Sequence, residues 1–220
     1  MSNITIIAFK WVPPFAQGLV RDLRVRWALE EAGLPYQQKL LAHGENNSPE
    51  HRALQPFGQV PVYQEGDLTL FESGAILMHI AQKTPALMPA DAAGRAQVSQ
   101  WMFAALNSVE PHIANLATID LFNPNEEWAK LRRPGAEKFL RGRLDGLVAG
   151  LGAREYLTGQ FTVADLLMTT VLRNLRHTEI LADYPSLEAF KARCEARPAF
   201  ERALAAQMAN FEKYAPNKAA

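Results

Sequence analysis

Cysteine is almost missing from these 220 residues, with Cys194 standing alone. One thiol excludes an internal disulfide and any zinc site built on cysteine. The five histidines form no HExxH and show no ligand spacing, so no metal site is expected. An excess of either charge is missing too: 23 Lys+Arg stand against 23 Asp+Glu, and nothing global draws the chain toward nucleic acid or an anionic membrane. No apolar run approaches the roughly 20 residues that span a bilayer. The N-terminus reaches a charged, aromatic strand by Lys10 without a basic region or a cleavable apolar stretch. No signal peptide is expected, and the expected location is cytoplasmic. What remains is ordinary for a globular protein: 48% hydrophobic and 21% charged, long enough to bury a real core as one large or two small domains.

Ile4 to Phe9 (ITIIAF) is β-branched and apolar, a strand buried on both faces. Val20, Leu23, Trp27 and Ala28 then share one face of a helix that stops at Gly33, with Pro35 beyond. Tyr36 to Leu41 reads as a second strand, and the helical crossover implies a parallel pair. Ser48 caps a short helix opened by Pro49 and closed by Pro56. Two strands, Val60 to Gln64 and Leu68 to Glu72, flank a hairpin turn at Glu65-Gly66-Asp67. Ser73 to Lys83 is the next helix, completing β-α-β-α-β-β-α over residues 1–83. Pro85 and Pro89 mark a linker over 84–91. Beyond it the periodicity is helical throughout, so residues 92–220 read as an all-α domain. Within it, Thr162 and Asp165 form a capping box with Phe161 and Leu166 at the staple positions, which makes Asp165 a folding residue rather than a catalytic acid.

Two features of the first half go beyond packing. Pro61 interrupts a strand pattern; an edge strand or bulge is one reading, and a cis Val60–Pro61 bond is the other. The cis form would turn the Val60 N–H and C=O outward, free to pair with an extended peptide. Ser73 follows Glu72 at the entrance of a helix. Ser73 is either a plain N-cap or the helix end that takes up a carboxylate, and Glu72 is either a solvated charge or the acceptor for an ammonium. A carboxylate and an ammonium on one carbon describe an α-amino acid head group.

PFGQVP and FESGAILMHIA are similar to the glutathione-binding half of the soluble glutathione transferases, and with the helical second half the resemblance covers the whole chain. It implies an α/β thioredoxin-like N-terminal domain at 1–83, the linker 84–91, and an all-α domain at 92–220 forming the electrophile pocket. By that resemblance Val60, before a cis Pro61, pairs with the cysteinyl backbone of glutathione, and Glu72 and Ser73 hold its γ-glutamyl end. Gln59 sits where the family often contacts the tripeptide. His43, in the loop before the short helix, is either near the glycine carboxylate or a surface histidine. The implied activity is that of a glutathione transferase of bacterial type, in detoxification, acting as a homodimer. Glutathione is its co-substrate, with no cofactor, and a small hydrophobic electrophile or a disulfide is the second substrate. A glutathione-dependent disulfide reductase and a non-catalytic transferase-like binding module are the alternatives.

The family usually places a Tyr, Ser or Cys between the first strand and first helix, beside the glutathione sulfur. KWVPPFAQGLVRDLR contains none, and Leu19, Val20 and Arg21 fall near the expected position. A thiol of pKa about 8.5 is only a few per cent thiolate at neutral pH, and lowering it by about two units takes roughly 2.7 kcal/mol of anion stabilisation. The candidate catalytic donors are Arg21, Gln17 and the backbone N–H groups of Pro14 to Val20. Arg21 and Arg24, in a helix's first turn, oppose the macrodipole and call for an anion; Asp22 is one answer and a bound thiolate or carboxylate another. Trp11 either walls the cleft or packs in the core. Trp101, Ala105, Ser108 and His112 follow helical spacing and either line the electrophile pocket or pack internally.

Overall fold

A strand that is apolar on both faces belongs inside a sheet, and β1 (Ile4–Phe9) is found there, with Ile6, Ile7 and Ala8 fully buried. The computed structural model describes residues 3–216. β1 lies between β2 (Tyr36–Leu41), which runs parallel to it, and β3 (Val62–Glu65), which runs antiparallel. β4 (Leu68–Leu70) pairs antiparallel with β3 and gives the order β2-β1-β3-β4. The crossover from β1 to β2 is α1 (Asp22–Ala32), stopped at Gly33 with φ 63°, a left-handed conformation that glycine enters without a Cβ penalty. α2 (Pro49–Arg52) is a single turn whose Ser48 cap accepts from the His51 N–H at 3.2 Å. α3 (Ser73–Ala81) follows β4. The β-α-β-α-β-β-α order expected from the sequence is therefore present, with β3 starting one residue after Pro61, which has no N–H to give a ladder.

Glu65, at the end of β3, holds the far end of α3. Its carboxylate accepts from Tyr63 Oη at 3.0 Å and Lys83 Nζ at 2.9 Å, and His79 Nε2 lies 2.9 Å away. With that end anchored, the start of α3 stays at a set position beside the sheet.

The chain divides into two compact units: the residues up to Leu87 with those from Arg197 on, and Met88–Ala196. The second contains α4 (Ala92–Phe103), α5 (Glu110–Ala117), α6 (Glu127–Leu151), α7 (Val163–Leu172) and α8 (Pro185–Glu195), with no strand among its described residues. Between α4 and α5 a π turn at Ala104–Val109 interrupts what would otherwise be one continuous helix. Pro111 explains the interruption: it cannot donate to the carbonyl of Asn107, and its ring needs the wider turn. Within the π turn Ala105 is fully buried while Ser108 is exposed. The capping box is present as read. Asp165 Oδ2 accepts from Thr162 N at 2.8 Å and Thr162 Oγ1 at 3.0 Å, and Oδ1 accepts from Leu157 N at 2.7 Å.

The last helix, α9 (Pro198–Lys213), packs on α1 and groups with the first compact unit. Phe200 meets Trp27 edge-on, with centroids 4.8 Å apart. Arg197 pairs with Glu31 through two hydrogen bonds of 2.6 and 2.8 Å. A polar chain, buried at Asp22, Arg26, Gln207 and Asn210 and ending on the exposed Gln38, completes the attachment. Gln207 donates to Asp22 at 2.7 Å, Arg26 to Asp22 at 2.7 Å and to Gln38 at 3.0 Å, and Asn210 to Gln38 at 2.8 Å. Burial pushes the Asp22 carboxyl above its ordinary pKa, opposed by Arg26 and by the hydrogen bond from Gln207.

Candidate functional site

The segment before β3 is held by side chains of the preceding loop and α2. Asn46 donates to the Gly58 carbonyl at 2.8 Å, and His51, itself buried, donates from Nε2 to the Gln59 carbonyl at 2.8 Å. Gln55 accepts from the Phe57 N–H at 2.6 Å. Gly58 has φ 65°, and a Cβ there would lie about 3.0 Å from the Asn46 carbonyl, so only glycine fits this crossing. The Val60–Pro61 bond is cis. Neither the N–H nor the C=O of Val60 has a partner among the described residues. His51 was not singled out in the sequence; its only local signal is its place three residues after the Ser48 cap. His43, which was, is exposed in the loop after β2 and makes no hydrogen bond among the described residues.

The β3–β4 ladder ends at Tyr63↔Leu70, three residues after Val60 and three before Ser73. Between β4 and α3, Glu72 has φ 67° and ψ 112°, the one non-glycine positive φ among the described residues. Such a conformation costs about 1–3 kcal/mol and persists only where the surroundings impose it. Here the chain must turn from β4 into α3, with the Ile76 N–H bonding the Glu72 carbonyl at 3.0 Å. The sequence reading made Ser73 the N-cap; it is instead the first helical residue, and Glu72 holds the cap position without a side-chain capping bond. The helix starts one residue early because Glu72, not Ser73, adopts the non-helical backbone. The Glu72 carboxylate is exposed, with no partner among the described residues. Ser73 is 5% exposed, and its Oγ accepts from Arg24 Nη1 at 3.1 Å. Arg24 was noted only as a misplaced cation; its link to Ser73, across 49 residues of sequence, was not legible.

Between β1 and α1 the chain makes one 3-10 turn, Pro14–Ala16, and Gly18 takes a positive φ of 75°. Gln17 donates its amide to the Val12 carbonyl at 3.0 Å, bracing this loop. Of the backbone donors there, Ala16, Gln17 and Leu19 already bond within the loop, while the Val20 N–H has no partner among the described residues. Arg21 is exposed at the cap position of α1.

Residues 16–82 match the family model for the glutathione S-transferase N-terminal domain, and residues 115–207 that for the C-terminal domain. The chain belongs to the glutathione transferase family. Glutathione S-transferase 4 of Zea mays is 33% identical over 214 residues, covering 90% of this chain and 92% of the maize protein. A glutathione transferase from Burkholderia graminis, solved with two glutathione molecules per subunit, superposes with a TM-score of 0.80 at 30% identity, over 92% of this chain and 87% of that one. A family member from Pseudomonas fluorescens, also with two glutathiones bound, gives a TM-score of 0.80 at 25% identity, over 91% and 92%.

Among the described residues no group of three or more His, Cys, Asp or Glu could hold a metal. None of their helices is long and apolar enough to cross a membrane. In the second unit Trp101 is half-buried, with its ring where a Cβ on Gly150 would collide at 2.5 Å. His112 stacks on Phe139 at 4.8 Å, and burial with the nearby Arg143 holds its pKa below the usual value.

Proposed function

We propose that this transferase binds glutathione on its first unit and ionises the thiol for attack on a small hydrophobic electrophile. The observation that carries the reading is the junction at Glu72-Ser73. An exposed carboxylate without a partner, a hydroxyl and the uncapped start of α3 follow the same hairpin that Val60, with its unpaired backbone, precedes. The head group's carboxylate goes to Ser73 and the first-turn N–H groups, where the helix dipole favours an anion, and its ammonium to Glu72. The cysteinyl backbone pairs with Val60. Gln59 and His43, both exposed, are assigned to the rest of the tripeptide. The Val20 N–H, assisted by Arg21, is assigned to the sulfur; Gln17, with its amide on Val12, is assigned to bracing the loop.

Disulfide reduction by glutathione is the second reading, favoured by the lack of a Tyr or Ser in the β1–α1 loop. A route through a protein thiol is not part of it, because the one cysteine, Cys194, is buried in α8. A cytoplasmic homodimer is included in the proposal. Phe122, Trp128, Leu131 and Phe139, all exposed on the second unit, provide an apolar surface of the kind a partner covers. Glutathione calorimetry, with turnover on a model aryl halide and a model disulfide, tests the whole reading. No heat of binding at millimolar glutathione would refute it, and turnover of the disulfide alone would select the second reading.

A further inference from the structure

Gln207 of α9 is buried, 1% exposed, and its amide nitrogen has two acceptors. Nε2 donates to the Val20 carbonyl at 3.2 Å and to Asp22 Oδ1 at 2.7 Å. A carbonyl can only accept, so it is the nitrogen of the amide that faces Val20. The amide oxygen is left buried with no hydrogen-bond partner. Methionine or leucine would avoid that cost, so what Gln207 contributes is its pair of donors. Asp22 has a second partner in Arg26, whose Nε donates to Oδ2 at 2.7 Å. The Val20 carbonyl also accepts from the Leu23 N–H at 3.0 Å, so a local bond takes one lone pair and α9 takes the other. The Val20 side chain packs against the buried cluster of Ile7, Leu41, Val60 and Val62. The residue assigned to the sulfur therefore shares a cluster with Val60, the residue assigned to the cysteinyl backbone. The backbone bonds of Ala16, Gln17 and Leu19 stay within the loop and set its shape; the bond from Gln207 ties its end to another element.

We infer that Gln207 positions the group that ionises the thiol: from the last helix it fixes the Val20 carbonyl, and with it the aim of the Val20 N–H at the glutathione sulfur. The inference rests on the assignment of that N–H to the sulfur. Gln207 is a positioning residue, acting through the Val20 backbone. A hydrogen bond weakens steeply off line, so an N–H stabilises an anion only when it points at it. A donor fixed before the ligand arrives also needs no reorganisation when the charge forms.

The test titrates glutathione bound to the whole protein, following thiolate absorbance against pH, beside kcat and KM on a model aryl halide. Wild type should ionise the bound thiol below the ordinary value of about 8.5. Gln207→Met keeps the length of the side chain and loses both donors. It should raise the bound thiol's pKa by about one unit, which leaves an about tenfold smaller thiolate fraction near neutral pH. There kcat should fall in proportion, with KM for glutathione changed by about twofold at most. Asn210→Leu is the control: it cuts the bond of 2.8 Å from α9 to Gln38, away from the loop, and should leave the thiol's pKa where it was. An unshifted pKa in Gln207→Met, or an equal shift in Asn210→Leu, would overturn the inference and leave Gln207 a structural tie between α9 and α1. If Gln207→Met does not fold, Gln207→Leu takes its place, and an unshifted pKa there overturns the inference as well. The Val20 amide proton resonance of wild type should follow the bound thiol's ionisation; if it does not, the assignment of that N–H falls and the role of Gln207 with it. Wild type binding no glutathione refutes the glutathione reading itself.

Discussion

Replacing Asp165 with alanine tests whether this carboxylate serves folding rather than chemistry. Its two oxygens accept from Leu157 N, Thr162 N and Thr162 Oγ1 at 2.7, 2.8 and 3.0 Å. Leu157, Thr162 and Asp165 are all buried, at 2%, 0% and 0% exposure. Alanine therefore leaves two buried backbone N–H groups without their acceptor. An orphaned buried donor costs about 1–3 kcal/mol, so the pair amounts to about 2–6 kcal/mol. The Thr162 hydroxyl keeps its capping role toward the helix and adds little to the loss. Against a whole-protein stability of about 5–15 kcal/mol, this is a large fraction. Equilibrium urea unfolding followed by far-UV circular dichroism should show the midpoint falling sharply. Turnover per folded molecule at low temperature should stay near that of wild type, because Asp165 touches no proposed ligand. A loss of stability below about 1 kcal/mol would refute the accounting of buried donors. A normal midpoint with lost turnover would refute the assignment of Asp165 to folding.

The same carboxyl has a pH signature: burial pushes its pKa up to about 6 from 3.8, against the opposing hydrogen bonds. The folded chain then holds a proton that the unfolded chain has released between these values, so this contribution to stability is greatest below the lower one and is lost as pH rises through the upper. The loss is about 3 kcal/mol, and urea midpoints for Asp165→Asn should fall less than those of wild type between pH 4 and 6.5. Phe200→Ala should destabilise the first unit by about 3–5 kcal/mol, read as faster amide exchange in β1; acceleration confined to residues 88–196 would contradict the attachment of α9. Arg21→Ala should raise the pKa of the bound thiol and reduce turnover more at pH 6.5 than at pH 9, where the thiol ionises unaided. A pH–rate profile that scales down without shifting would make Arg21 structural and leave the Val20 N–H as the sulfur's donor.

Local signals in this sequence settled local structure. The two-faced apolar strand at Ile4–Phe9, the glycine stop at Gly33, the Ser48-Pro49 helix start and the Thr162/Asp165 capping box all recur in the structure, because each depends on residues within a few positions of one another. Pro61 and the Glu72-Ser73 pair likewise flank a single hairpin and the helix after it. Tertiary structure decided what no window of sequence contains. The amphipathic pattern of Pro198–Lys213 shows that this helix has a partner, but α1 is identified as that partner only by the pairs Trp27–Phe200, Glu31–Arg197 and Asp22–Gln207. The π turn before Pro111 interrupts the helical spacing of Trp101, Ala105, Ser108 and His112, because one widened turn shifts every later side chain around the helix. Ser73 lost its cap position by one residue, a shift set by the strained backbone of Glu72. Arg24 looked misplaced at a helix start until the fold brought it to Ser73, since the worth of a buried charge depends on the groups that three-dimensional packing sets beside it.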